Sequence, residues 1–296
     1  MKYPDLGIAL GGGGLLGVAH IGVLEVLEEN GISPGIVTGT SAGSLVGALY
    51  AAGIKPPALR KLSLSLQKKD FFSWNFNPYS FIRFLLDNLR DMANFLDAAP
   101  RALFNGEKIG ELVVSLTKKK RFNEVPKTFG VVAVDLITGK KVVFSNKMIK
   151  LSPETHYFPN APLGLAVQAS CAIPGVFEPV PYQGTLLTDG GLAEMVPAQL
   201  ARHLGSRIVV GVSLKRMGKV QEPDTLIRVI QRGIDIITLQ NTQLDLKFAD
   251  LIIDPLSSDA GLGDFERVPE LLERGRQAAQ QALPTLKKLL SNRNTS

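Results

Sequence analysis

The sequence predicts an α/β protein, a mostly parallel sheet covered by helices on both faces. Two observations carry that expectation. Short apolar runs of strand length alternate along the chain with segments of helical periodicity. The two long uncharged stretches, Leu6–Leu24 and Gly31–Ile54, are also broken by glycines and by Pro34. A bilayer could not hydrate the backbone such breaks expose, so both read as buried strand–turn–helix units. Apolar residues make up 45% and charged residues 20% of the 296, which fits a protein with a sizeable core and neither a disordered chain nor a coiled coil. With no internal repeat and no low-complexity linker, a single domain over 1–296 is expected.

Leu6–Leu10 reads as a strand stopping at Gly11–Gly14, followed by a helix from about Gly17 to Asn30 with Gly31 as its C-cap. Gly35–Thr38 reads as the second strand. It ends in a sharp turn at Gly39–Gly43, and a helix of small residues runs on to Gly53. Downstream, Phe129–Leu136, Lys141–Phe144, Arg207–Leu214 and Leu251–Asp254 read as strands, and Pro197–Leu204, Leu226–Phe248 and Pro269–Leu290 as helices. The stretch from about Phe71 to Phe104 differs. Seven aromatics fall between Phe71 and Phe84, and an amphipathic helix follows with Phe81, Leu85, Leu89, Met92 and Leu96 on one face. It is either an inserted helix packed on the core or a lid or membrane-contact flap, since aromatic side chains suit a lipid interface.

The net charge of +6, from 33 basic and 27 acidic side chains, favours contact with anionic surfaces without indicating nucleic acid, and no nucleic-acid partner is expected. The basic run Lys118–Arg121 adds little, because charge runs are usually solvated faces. Cys171 stands alone, which excludes an intrachain disulfide and a Cys-rich metal site. No metal or cofactor is expected. One cysteine suits a reducing compartment, and the first residues do not read as a signal peptide. The expected location is the cytoplasm, with peripheral contact at the inner face of the membrane.

Gly12–Gly17 matches G-x-G-x-x-G between a strand and a helix. A dinucleotide site would need a carboxylate at the end of the second strand, and Ile36-Val37-Thr38-Gly39 has none. What the glycines do supply is bare backbone N–H at a helix start, where negative charge is favoured: an oxyanion hole as much as a phosphate cradle. The pattern G-x-S-x-G occurs twice. In Gly31–Gly35 the residue after Ser33 is Pro34, which lacks the N–H a nucleophile elbow requires. Gly39-Thr40-Ser41-Ala42-Gly43 keeps it and lies between a strand and a small-residue helix. Ser41 is therefore the candidate nucleophile, its alternative being a helix N-cap. Of three histidines, His20 reads as a hydrogen-bonded packing residue, His156 lies in a Pro-rich loop, and His203 reads as a dipole partner in a last helical turn. Asp189, closing the apolar run Leu186-Leu187 and followed by Gly190 and Gly191, is the better base; its alternative is a plain turn.

Three segments together resemble the patatin-like phospholipase family: Gly12–Gly17 running into Val18-Ala19-His20-Ile21-Gly22-Val23-Leu24, Gly39–Ser44, and Ala169–Phe177 leading to Asp189-Gly190-Gly191. The run from Asp264 to Ala282 is similar to bacterial members. The resemblance implies a three-layer α/β/α sandwich and a Ser–Asp dyad without histidine. Ser41 would be the nucleophile and Asp189 the proton acceptor, with the N–H groups of Gly12, Gly13, Gly14 and Ala42 as the oxyanion hole and Gly17, Gly39, Gly43, Gly190 and Gly191 as support. The implied reaction is metal-free hydrolysis of phospholipid, lysophospholipid or related acyl esters through an acyl-enzyme. Leu16 departs from the family, which usually has Arg or Lys there; this weakens local positive potential. The alternatives are a non-catalytic nucleotide- or lipid-binding protein on the same sheet, and an acyltransferase.

Overall fold

The computed structural model describes residues 2–74, 101–214, 222–255 and 264–292. In chain order, β1 (Lys2–Leu10) leads through a 3-10 turn (Gly14–Val18) into α1 (Ala19–Glu29), then β2 (Ser33–Thr40), α2 (Ala42–Ala51) and α3 (Pro56–Ser65). β3 (Ser73–Trp74), β4 (Ala102–Asn105) and α4 (Glu107–Thr117) follow. Then come β5 (Thr128–Asp135), β6 (Lys141–Ser145), β7 (Thr155–Pro159), α5 (Leu163–Ser170), β8 (Gly175–Phe177), β9 (Val180–Tyr182) and β10 (Thr185–Asp189). The chain continues through α6 (Ala198–His203), β11 (Ile208–Val212), α7 (Leu226–Asp245), β12 (Leu251–Ile253) and α8 (Val268–Asn292).

The main sheet has nine strands among the described residues, with β12-β11-β1-β2-β5 parallel in that order and β6–β7 a further parallel pair. Antiparallel pairing enters at β5–β6, β5–β10 and β10–β9. Side-chain alternation along the strands sorts the two faces. Leu6, Ile8 and Leu10 of β1, Val37 of β2 and Val131 of β5 enter the large core, built with α1, α2, α4, α5 and α8. Ala9 and Val209 face the other way, against Ala198 and Ala201 of α6, with Leu246 just after α7 packed on them. Ile36 and Val132 meet Leu200 of α6 and Leu204 just after it. The expected α/β sandwich is the observed one.

The expected helix from Gly17 is split, because the chain leaves the glycines in a 3-10 turn before α1 begins. Strands β7 and β9, helix α5 and the small sheet β3-β4-β8 were not expected; they are short, and the partners within the small sheet are distant in sequence. Most of the aromatic segment, including the expected amphipathic helix, lies outside the described residues. Its two ends are described: β3 and β4 pair antiparallel, and Phe72 packs on Phe104 and Phe177 with ring centroids 4.9 and 5.5 Å apart. Among the described residues no helix is long and apolar enough to cross a membrane.

Candidate active site

Ser41 joins β2 to α2 in a conformation that costs free energy. Its φ of 52° and ψ of −127° are unusual for a residue with a Cβ, and such positions cost about 1–3 kcal/mol and persist only where surroundings enforce them. Here they do. Its N–H donates to Ser170 Oγ at 2.9 Å, and its carbonyl accepts Ser44 N–H at 2.8 Å and Ser44 Oγ–H at 2.6 Å. A Cβ at Gly43 would lie 2.0 Å from the Leu10 carbonyl oxygen, so only glycine lets α2 start this close to the end of β1. Gly39 faces Gly43, and Gly17 faces Ala42, with equally little room. The Ser41 side chain makes no capping hydrogen bond, so the N-cap alternative does not describe its hydroxyl.

Asp189 arrives from the opposite direction. Thr40 pairs with Val132 of β5, and Asp189 pairs with the next residue, Ala133. Because β6 occupies the other edge of β5 at both positions, β2 and β10 end head to head on a single edge. Their last residues are offset by one strand step, about 3.3 Å. Gly190 permits this meeting, since a Cβ there would fall 2.2 Å from the Val132 carbonyl. Ser41 and Asp189 are both nearly buried, 5% and 7% exposed. The Asp189 Oδ1 accepts Gly191 N–H at 2.8 Å. Cys171 lies beside Ser44, at 3.8 Å, and near Asp189; burial first, then the Asp189 charge, push its thiol upward, so it stays protonated and inert.

The glycine loop differs from expectation at one residue. Gly12 N–H donates to the Met195 carbonyl at 3.0 Å, so it is committed and unavailable to an oxyanion. Gly13, Gly14 and Ala42 have no acceptor for their N–H groups among the described residues. Those of Gly14 and Ala42 sit at helical starts, where no intrahelical partner exists and the dipole favours negative charge. His20 supports the loop from beneath: its Nε2–H donates to the Gly11 carbonyl at 2.7 Å. Burial lowers the His20 pKa to about 4, which keeps the ring neutral. The Gly11–Gly12 peptide is thus held on both sides.

A cavity of about 140 Å³ opens at Ser41 and Ala42. Beyond them its wall is almost wholly apolar, with Leu45, Leu59, Leu62, Phe72, Leu112 and Phe177 among its lining residues. Such a space accepts a hydrocarbon chain and, away from the Gly14 and Ala42 N–H groups at its mouth, offers little to a nucleotide's sugar or base.

Comparisons with known proteins give the family. A family model described as patatin-like phospholipase matches residues 8–202. The chain belongs to the patatin-like phospholipase family. An uncharacterised NTE family protein of Mycobacterium tuberculosis is 31% identical over 213 residues, covering 71% of this chain and 49% of the relative. A patatin-like phospholipase domain-containing protein of Caenorhabditis elegans is 31% identical over 219 residues, 73% of this chain and 14% of that one. This chain therefore spans about half, or much less, of the curated relatives it matches. VipD from Legionella pneumophila is similar in structure with a TM-score of 0.49 and 14% identity, covering 96% of this chain and 67% of that one.

The serine and two of the histidines set aside on sequence grounds do lie elsewhere in the molecule. Ser33, in the second G-x-S-x-G, begins β2 and sits near Glu28, Tyr50 and Lys127 at the opposite end of that strand. His156 lies 3.9 Å from Asp135, and His203 ends α6. Sequence reasoning missed Ser170, which accepts the Ser41 N–H, and Met195, whose carbonyl takes the Gly12 N–H. Ser170 stood inside the Ala169–Phe177 motif but as a family signature, with no role attached. Among the described residues there is no cluster of three or more His, Cys, Asp or Glu side chains able to hold a metal ion.

Proposed function

We propose that this protein is a serine lipid acyl hydrolase that cleaves acyl esters of phospholipids, lysophospholipids or related lipids. The observation that carries the reading is the strained Ser41 turn at the mouth of an apolar cavity. The acyl chain occupies the cavity, which brings its ester carbonyl to Ser41. Ser41 Oγ attacks the carbonyl carbon while its proton passes to Asp189. The N–H groups of Gly13, Gly14 and Ala42 receive the negative charge that develops on the carbonyl oxygen. Collapse of the tetrahedral species breaks the bond to the alcohol, which leaves with the proton from Asp189. Water then attacks the acyl-enzyme by the same path in reverse. An ordinary Asp, with a pKa near 4, is a weak base for a serine hydroxyl. The reaction therefore leans on the N–H donors, each worth about 2.7–4 kcal/mol of transition-state stabilisation.

Leu16 supplies no cation beside the glycine loop, so head-group recognition does not rest on charge at that position. Transient contact with a membrane surface at the inner face brings the lipid to the site, and the chain acts as a single catalytic domain. The test is ester hydrolysis over a panel of lysophospholipids and p-nitrophenyl acyl esters. Ser41→Ala is expected to abolish turnover and labelling by a fluorophosphonate with the fold intact. Asp189→Asn is expected to reduce both nearly to background, whereas His203→Ala leaves them unchanged. Full turnover by Ser41→Ala would refute the mechanism, and a folded wild-type protein that neither labels nor hydrolyses would favour a non-catalytic lipid-binding role.

A further inference from the structure

The short segment that follows Asp189 touches every part of the site. Gly191 N–H donates to Asp189 Oδ1 at 2.8 Å. The Glu194 carbonyl accepts Thr40 Oγ1–H at 2.8 Å, one residue before Ser41. The Met195 carbonyl accepts Gly12 N–H at 3.0 Å. Acid, nucleophile turn and glycine loop are thus linked through residues 190–196, which form one 3-10 turn (Gly190–Leu192) and otherwise no regular element. Such a segment has no ladder of its own, so its remaining polar groups need partners from outside.

Those partners come from α7. Asn241 Nδ2 donates to the carbonyls of Gly191 and Leu192, at 3.2 and 2.8 Å. Asp245 Oδ2 accepts the N–H groups of Met195 and Val196, at 2.7 and 3.0 Å. The two side chains are four residues apart and leave the helix on one face. Asp245 is 7% exposed, and its carboxyl is pushed up to about 7, chiefly by burial and further by Glu194. Burying a carboxyl is costly, and packing alone would be served better by an apolar residue. Here the side chain instead meets two backbone donors, one of them on Met195, whose carbonyl also holds Gly12.

We propose that Asn241 and Asp245 are positioning residues that hold the 190–196 segment, and through it Asp189 and the glycine loop, in register with Ser41. The inference rests on the hydrolase reading above. Displacing reacting groups by about 1 Å can cost about 100-fold in rate, so loss of either side chain acts on the chemical step more than on lipid binding.

The experiment uses the full chain and compares Asn241→Ala, Asp245→Leu and Asp245→Asn with wild type. It measures the second-order rate constant for fluorophosphonate labelling, kcat and KM on a p-nitrophenyl acyl ester, and Tm. Asn241→Ala is expected to lose about 10–100-fold in both labelling and kcat, with KM within about twofold. Asp245→Leu should lose at least as much. Asp245→Asn keeps an amide oxygen able to accept both N–H groups and should stay within about threefold of wild type. Should Asp245→Leu fail to fold, the contrast between Asn241→Ala and Asp245→Asn decides the matter. Unchanged labelling and kcat in folded Asn241→Ala overturn the inference, as does a loss in Asp245→Asn as deep as in Asn241→Ala. A labelled wild type with unaffected variants overturns this inference alone, and an unlabelled wild type overturns the hydrolase reading together with it.

Discussion

Ser41 holds its strained backbone only because its surroundings enforce it, and substitution should reveal the cost. Ser41→Ala keeps the Cβ and so keeps the strain at φ 52°. Ser41→Gly removes both. Relief of a non-glycine residue at such a position is worth about 1–3 kcal/mol. Against this, glycine loosens the unfolded chain by about 0.5–1 kcal/mol. The difference leaves Ser41→Gly more stable than Ser41→Ala by about 1 kcal/mol, the lost hydroxyl being common to both. In a chain of this length that corresponds to about 2 °C in Tm. Urea titration at 25 °C, followed by far-UV circular dichroism with a shared m-value, resolves such a gap. Both variants are expected to be inactive, so stability is gained where function is lost. If Ser41→Gly is no more stable than Ser41→Ala, the turn carries no strain and the nucleophile-elbow argument fails.

His20 and Asp245 should oppose each other in acid. The His20 pKa is lowered to about 4 by burial, so its contribution is complete above its unfolded value near 6.5 and is lost as pH falls through about 4. Asp245 is raised to about 7, so its contribution is complete below its unfolded value near 3.8 and is lost as pH rises through about 7. Replacing His20 by Gln should therefore make the variant gain about 2 kcal/mol relative to wild type between pH 7 and pH 5; a stability difference independent of pH would contradict the buried neutral ring. In the cavity, Leu112→Trp should shift the preferred acyl chain towards shorter esters, read as kcat/KM across a C4–C16 series. An unchanged chain-length profile would mean that the acyl group lies elsewhere.

Much of the frame was legible locally. Short apolar runs and glycine punctuation mark β1, β2 and β5, because run length and turn chemistry depend on neighbours a few positions apart. The G-x-S-x-G pattern singled out Ser41 for the same reason: Gly39 relieves a clash with Gly43 within one turn, whereas the clash that Gly43 avoids, with Leu10 of β1, is tertiary. The short strands β7 and β9, by contrast, carry too few residues to show a period. Helix α5 is eight residues long and mostly apolar on all sides, which gives a moment too weak to read from sequence. Gly12 was misjudged as a donor because nothing near it in the chain shows that the Met195 carbonyl will arrive.

The amino-acid order alone determined the strand–turn–helix units, the tight serine turn and the row of bare glycines, since each is set by sterics within a few residues. Tertiary structure decided the rest. It brought the end of β2 against the end of β10 along one edge of β5, chose which glycine N–H groups remain open, and walled the cavity from helices and aromatics scattered over the chain. Those outcomes depend on strand register and on hydrogen-bond partners remote in sequence, and such partners are fixed only when the whole sheet closes.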